Sequence, residues 1–430
     1  MSAPRVLMLS FQFPPMAGSS GVQRCLRFAR ELPALGWEPL ILSAGAGAYE
    51  QCSDDQLDAI SPDWVVARAP ALDAARHLSL WRRYPGWLAT PDRWVSWLAC
   101  AIPMGLAMIR RHRPAVLWST YPIPSAHWLG WWLARLSGLP WVADFRDPMA
   151  HQGYPEDPRL WHHYARLEQR IFARARRACF TTPGALRLYA QRFPTAAPRL
   201  RLIENGYVEE EFQQAQALMP ALPPLPTGAA PRDDTPCLLH SGVLYPRWRN
   251  PEALFMALAQ LRREQPRLLP RLALRASGHE DWMRALAARH GVADLVTLLP
   301  PLPYAQALAE MLQADALLLL QSDECADQIP AKAYEYLRAG RPVLALASGD
   351  TAALMRDAGL SHLAALEDSV AIAAQLRRFV LDWQAGACPR PAPERVAAAS
   401  RRARAAQLAD CLNEARFSAP NPTEFPLEST

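Results

Sequence analysis

The sequence predicts an α/β protein built from two doubly wound parallel sheets in series. Short apolar runs of strand length alternate with helix-length amphipathic stretches along most of the chain. That alternation belongs to parallel strands joined by crossover helices and covered on both faces. It breaks at a proline-rich stretch over 219–236 and then restarts, and such a composition marks a linker or surface loop. At 430 residues the chain also exceeds one core, since single cores stop growing near about 250–300 residues.

The first half opens with the apolar strand Val6–Phe11 and a loop over 12–20 that holds Pro14, Pro15 and Gly18. A helix from Gly21 to Leu35, closed by Gly36, leads to a second strand, Pro39–Ser43. This is a β–loop–α–β unit. Further strands are predicted at Ala115–Ser119, Pro140–Phe145, Cys179–Thr182 and Arg201–Ile203, with an apolar helix at Ser125–Leu136. The stretch Trp94–Ile109 is interrupted by Pro103 and short for a membrane span, so it reads as a buried or interfacial helix.

The second half restarts with strand Cys237–His240 and a loop over 241–249. Helix Pro251–Gln265, strand Arg271–Ser277, helix Asp281–Gly291, strand Val296–Leu299, helix Tyr304–Gln313 and strand Ala316–Gln321 follow. Helix Pro330–Ala339, strand Pro342–Ala347 and helix Thr351–Ala358 complete the alternation. The expected organisation is a first domain over 1–205, a linker over 206–236 and a second domain over 237–393. A helix over 394–416, one course for which is a return to the first domain, precedes a disordered tail at 417–430.

Half the residues are hydrophobic and a fifth are charged, with a formal charge of +5. This is a globular composition without the basic, aromatic-interleaved stripe of a nucleic-acid binder. Eight cysteines show no C-x-x-C spacing, so neither a zinc site nor a redox pair is read, and no metal is expected. Free thiols suit a reducing cytoplasm, and Val6–Ser10 is too short for a signal peptide. Ten of the fifteen tryptophans lie between Trp64 and Trp141. Core packing accounts for such a run, and so does contact with the inner membrane face.

Of the 46 basic residues only one, Lys332, is lysine. A lone ammonium among guanidiniums suggests a position that arginine's rigid planar fork does not serve. Pro330 suits a first helical turn, where free N–H groups and the helix dipole favour an anion. A phosphate beside Lys332 is one reading and a solvated lysine the other. In the opening loop, Gly18 and Gly21 remove side chains where backbone approaches a ligand, although G-x-x-G also fits an ordinary strand–helix turn. It is not the dinucleotide fingerprint, so NAD binding is not supported.

Four segments, in this order, carry a family resemblance: SFQFPPMAGSSGVQRCLRFARELPALGWEPLIL, WVADFRDP, IENGYV and ADALLLLQSDECADQIPAKAYEYLRAGRPVLAL. Together they resemble the GT-B glycosyltransferases, and among these glycosyltransferase family four, the retaining nucleotide-sugar enzymes. The resemblance implies two Rossmann-like domains facing across a cleft. It places the nucleotide-diphosphate-sugar donor on the second domain and a glycan or lipid-linked acceptor on the first, with no other cofactor. The family's second-domain signature is two acids eight apart; here Glu335 matches the second, which holds the donor's ribose. Asp327 stands at the first position, beside the transferred sugar, with Glu324 as an alternative acid.

The family's diphosphate-binding Arg would follow Gly242, where this chain has Val243. Its Lys corresponds to Arg249, with Arg247 nearby, so Lys332 and Arg249 are assigned the leaving diphosphate. Ser241 and His240 face the expected donor site. In the first domain Arg146 takes the place of a family His, as a contact to sugar or phosphate, and Asp147 would orient the acceptor hydroxyl. The competing reading is an Asp144–Arg146–Asp147 ion cluster that fixes the loop. His127 reads as packed rather than as a base. The expected function is metal-independent, retaining sugar transfer in cell-surface polysaccharide or glycolipid assembly, at the cytoplasmic membrane face. A nucleotide-sugar epimerase and a non-catalytic scaffold of the same fold are the alternatives.

Overall fold

The structure is a computed structural model that describes residues 3–17, 20–79, 84–151, 153–221, 225 and 234–418. Gly18 and the tail beyond residue 418 lie outside the described residues. The chain divides into two compact units, residues up to Glu204 together with those from Arg402 onward, and Asn205–Arg401.

The first unit holds a seven-stranded, wholly parallel sheet. Its strands are β1 (Arg5–Leu9), β2 (Glu38–Ala44), β3 (Val65–Ala69), β4 (Val116–Thr120), β5 (Trp141–Arg146), β6 (Arg177–Phe180) and β7 (Leu200–Leu202). They lie in the order β3-β2-β1-β4-β5-β6-β7. Both faces are covered. Leu7, Leu9 and Leu117 pack on one side with the helices Trp97–His112, Pro124–Ser137 and Pro158–Arg174. Val6, Met8 and Trp118 pack on the other with the helices Ser20–Glu31 and Arg401–Phe417. Burial on two faces explains why these strands read as continuous apolar runs rather than as alternating ones.

The second unit repeats the plan with six parallel strands: β8 (Cys237–Ser241), β9 (Arg271–Arg275), β10 (Val296–Leu299), β11 (Ala316–Leu320), β12 (Val343–Leu346) and β13 (Leu363–Ala364). Their order is β10-β9-β8-β11-β12-β13. All five residues of β11 are inaccessible to solvent. In each sheet the order reverses beside the first strand, between β1 and β4 and between β8 and β11. Open α/β sheets bind ligands at that reversal, beyond the carboxyl ends of the strands.

Several elements differ from the sequence expectation. Residues 209–218, assigned to the linker, form the helix Glu209–Leu218, which buries Phe212 and Ala215. The single C-terminal helix expected over 394–416 is two, Pro393–Ala398 and Arg401–Phe417. The break falls where Tyr207 and Ser400 pair as a bridge. Strands β3 and β13 and the helices Pro158–Arg174, Pro183–Arg192 and Ser369–Gln384 were not expected. Val65–Ala69 is an edge strand with little burial outside Ala69, and Arg68 interrupts its apolar run. Among the described residues no helix is long and apolar enough to cross a membrane.

Candidate functional site

In the second unit the loops after β8 and β11 meet, and the meeting is fixed by a main-chain bond. Ser322 N donates to Trp248 O at 3.0 Å, while Gly242 N ties the start of the β8 loop to the end of β9 by donating to Arg275 O at 2.9 Å. The loop carrying Asp327 is pinned from beneath. The Gln321 amide donates to the carbonyls of Cys325 and Gln328 at 3.1 and 2.9 Å, and Thr351 Oγ1 donates to Gln328 O at 2.8 Å. Gly349, at φ 55°, passes so close that a Cβ there would lie 2.2 Å from Ala326 O. Asp327 is exposed at the outer end of this rigid loop.

The helix Ala331–Ala339 begins next, with Pro330 at its N-cap. Lys332 on its first turn is half-buried, and its Nζ lies 3.0 Å from His240 Nε2. Gly242 has φ 115°, a region that side chains avoid, and a Cβ on it would stand 2.9 Å from Lys332 Nζ. Glycine is therefore required both for the turn and for the space the ammonium fills. Desolvation, with Arg249 nearby, brings the Lys332 ammonium down to about 7, while Glu335 opposes the shift. One turn along the same helix, Glu335 accepts a hydrogen bond from Tyr304 Oη at 2.8 Å. Burial raises its carboxyl above the usual range, against the pull of Tyr304 and Lys332. Lys332 and Glu335 are three apart on one helix face, the spacing that makes side chains neighbours.

Arg249 folds back over its own loop: its Nη1 donates to Val243 O at 3.2 Å, and its guanidinium lies 5.7 Å from the Tyr245 ring centre. Arg247 is exposed and pairs with Glu324 at 2.9 Å. Glu324, the alternative sugar-side acid, is thus occupied by Arg247, and both sit in water, where such a pair is weak. Ser241 N donates to the Tyr336 phenol oxygen at 3.1 Å.

In the first unit the loop after β1 meets the end of β5. A Cβ on Gly21 would lie 2.8 Å from Arg146 Nη1 and closer still to the Gln12 amide oxygen, so this glycine makes room for both side chains. Arg146 is buried, takes φ 60°, and donates from Nη1 to Tyr121 O at 3.3 Å. Its Nε is buried without a partner among the described residues. Asp147 beside it is exposed.

The ion-cluster reading of this loop needs correction. Asp144 pairs not with Arg146 but with Arg24, through two bonds of 2.8 Å. Thr120 Oγ1 donates to Asp144 Oδ2 at 2.9 Å, and Arg24 also donates to Ile203 O at 2.9 Å. One buried pair thus ties the first helix to the ends of β4, β5 and β7. Nothing in the sequence around Arg24 announced it. His127 is packed, with Nδ1 2.8 Å from Ser119 Oγ, and burial lowers it to about 3.

The sequence reading also missed Tyr304, which reaches Glu335 from another helix, and the interior position of His240. Among the described residues no group of three or more His, Cys, Asp or Glu is placed to hold a metal ion.

Residues 20–206 match the family profile described as a glycosyl transferase 4-like domain, and residues 235–382 match that of glycosyl transferases group 1. The chain belongs to the GT-B glycosyltransferases. Two curated relatives are named D-inositol 3-phosphate glycosyltransferase. The Streptomyces coelicolor protein is 32% identical over 149 residues, which is 33% of this chain and 32% of that protein. The Streptomyces avermitilis protein is 27% identical over 292 residues, 63% of this chain and 59% of that protein. The matches thus span about a third and about three fifths of these relatives. Among solved structures, the GT-B chain shares its fold with sucrose-phosphate synthase from Thermosynechococcus elongatus (TM-score 0.60, 19% identity, covering 95% of this chain and 98% of that one). It shares it too with Anabaena HepE in complex with UDP-glucose (TM-score 0.57, 16% identity, covering 96% and 97%).

Proposed function

We propose that this chain transfers a sugar, with retention and without a metal, from a nucleotide-diphosphate-sugar donor to an acceptor hydroxyl. The observation that carries the reading is the first turn of the helix Ala331–Ala339. There a half-buried ammonium and a carboxylate stand one turn apart at the sheet's reversal point, with Arg249 adjacent. The helix N-terminus, Lys332 and Arg249 together suit a diphosphate. Glu335 suits a ribose, whose two hydroxyls a carboxylate takes as a pair. HepE, of the same fold, is recorded with UDP-glucose, which supports the donor class.

In this reading the bond from the sugar's anomeric carbon to the diphosphate oxygen breaks as the bond to the acceptor oxygen forms on the same face. The acceptor's proton passes to the leaving diphosphate. Lys332 and Arg249 stabilise the charge that develops there, Asp327 contacts the sugar, and Ser241, Gly242 and Arg247 line the donor loop. Gly18 and Gly21 are assigned to the donor, Arg146 to a contact with sugar or phosphate, and Asp147 to orienting the acceptor hydroxyl. The test is a thermal-shift panel of UDP-, GDP-, ADP- and dTDP-linked sugars. One nucleotide is expected to raise the melting temperature, because a ligand of the native state stabilises it by mass action. Glu335→Gln should shrink that shift without lowering the unliganded melting temperature. A well-folded protein that responds to none of the four would remove the proposal.

A lipid-linked acceptor at an anionic membrane is the finer reading that the first unit favours. Residues 93–143 contain no acidic residue. On the helix Pro124–Ser137, Trp131 packs edge-on to Trp128 and Trp132, and Arg170 lies over Trp128 at 4.8 Å. Tryptophan and arginine together suit the headgroup region. Co-sedimentation with phosphatidylglycerol vesicles is expected, lost with phosphatidylcholine and weakened about tenfold by Trp131→Ser with Trp132→Ser. Equal recovery with both lipids, or with neither, would count against it.

A further inference from the structure

We propose that His240 is a positioning residue: its neutral imidazole holds the Lys332 ammonium over Gly242, set for the donor's diphosphate. The inference rests on the donor-site reading given above. His240 is wholly buried at the end of β8, and its Nδ1 lies 2.9 Å from Leu318 O on the neighbouring strand β11. A carbonyl only accepts, so Nδ1 carries the ring's proton and Nε2 is left with its lone pair. That lone pair faces Lys332 Nζ at 3.0 Å, an acceptor matched to a donor. Burial, and then the adjacent ammonium, hold the imidazole below its usual range, so the ring does not compete for the charge.

The consequence is a pre-placed cation. The lysine stem is long and flexible, and ordering it before the ligand arrives removes that cost from the binding step. The charged groups around the ammonium are Arg249 on the β8 loop and Glu335 on its own helix. The first disfavours the charge and the second favours it. His240 adds a neutral acceptor from beneath, which favours the protonated lysine a diphosphate needs. It also accounts for lysine at the one position where the chain avoids arginine. A side chain at position 242 would crowd the ammonium, since a Cβ built there would stand 2.9 Å from Lys332 Nζ.

Two substitutions separate the ring's two bonds. His240→Asn places an amide N–H near the Nδ1 position and keeps the donor to Leu318, but lacks an acceptor at the Nε2 position. His240→Gln places its amide oxygen near the Nε2 position and keeps the acceptor for Lys332. With the nucleotide sugar that binds the wild-type protein, His240→Asn is expected to raise the donor KM about tenfold and to move kcat less. His240→Gln is expected to stay within about twofold of wild type. Because the chain has one lysine, protein labelled at the lysine Nζ gives a single resonance for this group. Its titration midpoint should fall in His240→Asn and hold in His240→Gln, with no donor present. Both variants binding like wild type, both impaired alike, or only the glutamine impaired would each overturn the inference. A wild type that binds no nucleotide sugar overturns the donor-site reading instead, and the labelled lysine still reads the His240–Lys332 contact.

Discussion

Lys332→Ala is expected to lower kcat/KM for the nucleotide sugar on the order of a hundredfold, the scale of losing one preorganised donor at a developing anion. Lys332→Arg should recover little of it. Nζ sits 3.0 Å from His240 Nε2, and a planar guanidinium is longer and wider than the ammonium that makes this contact. The same site gives a pH dependence with a defined sign. Lys332 loses its proton near pH 7 in the free protein, well below an ordinary lysine, while diphosphate binding requires the ammonium. Donor affinity is therefore full below about pH 7 and falls as the pH rises through it, by up to about tenfold per unit. Calorimetry in two buffers of different ionisation heat should show proton uptake on binding between pH 7 and 9. The uptake should vanish in Lys332→Ala. A flat affinity from pH 6 to 9 would exclude Lys332 from the phosphate site.

Asp144→Ala is expected to cost the first unit about 3–5 kcal/mol, the scale of leaving one buried charge unpaired. The partners are almost completely inaccessible, with side-chain exposures of 2% for Arg24 and 1% for Asp144. The pair also carries the bonds from Thr120 and to Ile203, so its loss frees three strand ends beneath Gly21 and Arg146. Joint replacement, Arg24→Met with Asp144→Leu, should recover much of the stability, because two apolar side chains leave no orphaned charge. Twelve of the fifteen tryptophans precede residue 205, so urea unfolding followed by tryptophan emission reports mainly on this unit. A double variant as unstable as Asp144→Ala would show that geometry, not charge burial, sets the cost.

The strands β8, β9 and β11 were legible because interior parallel strands bury both faces, and Ala316–Leu320 is apolar without interruption. The helix Tyr304–Gln313 was legible at both ends. The helix Pro158–Arg174 was not: four arginines, Glu168 and Gln169 dilute its apolar stripe. The edge strands β3 and β13 were missed for a different reason: Val65–Ala69 is a five-residue run interrupted by Arg68, and Leu363–Ala364 is only two residues long.

The sequence by itself determined the two-sheet α/β plan, the glycines at 21 and 242, and the distinctness of Lys332. Each of these follows from a local demand: burial on two faces, room for a neighbour, or a charge that arginine cannot supply. Tertiary structure alone decided the partners. His240 and Lys332 are 92 residues apart, Arg24 and Asp144 are 120 apart, and Tyr304 and Glu335 are 31 apart. Such pairs leave no periodic trace, because strand order in the sheet, not spacing along the chain, sets which loop ends meet.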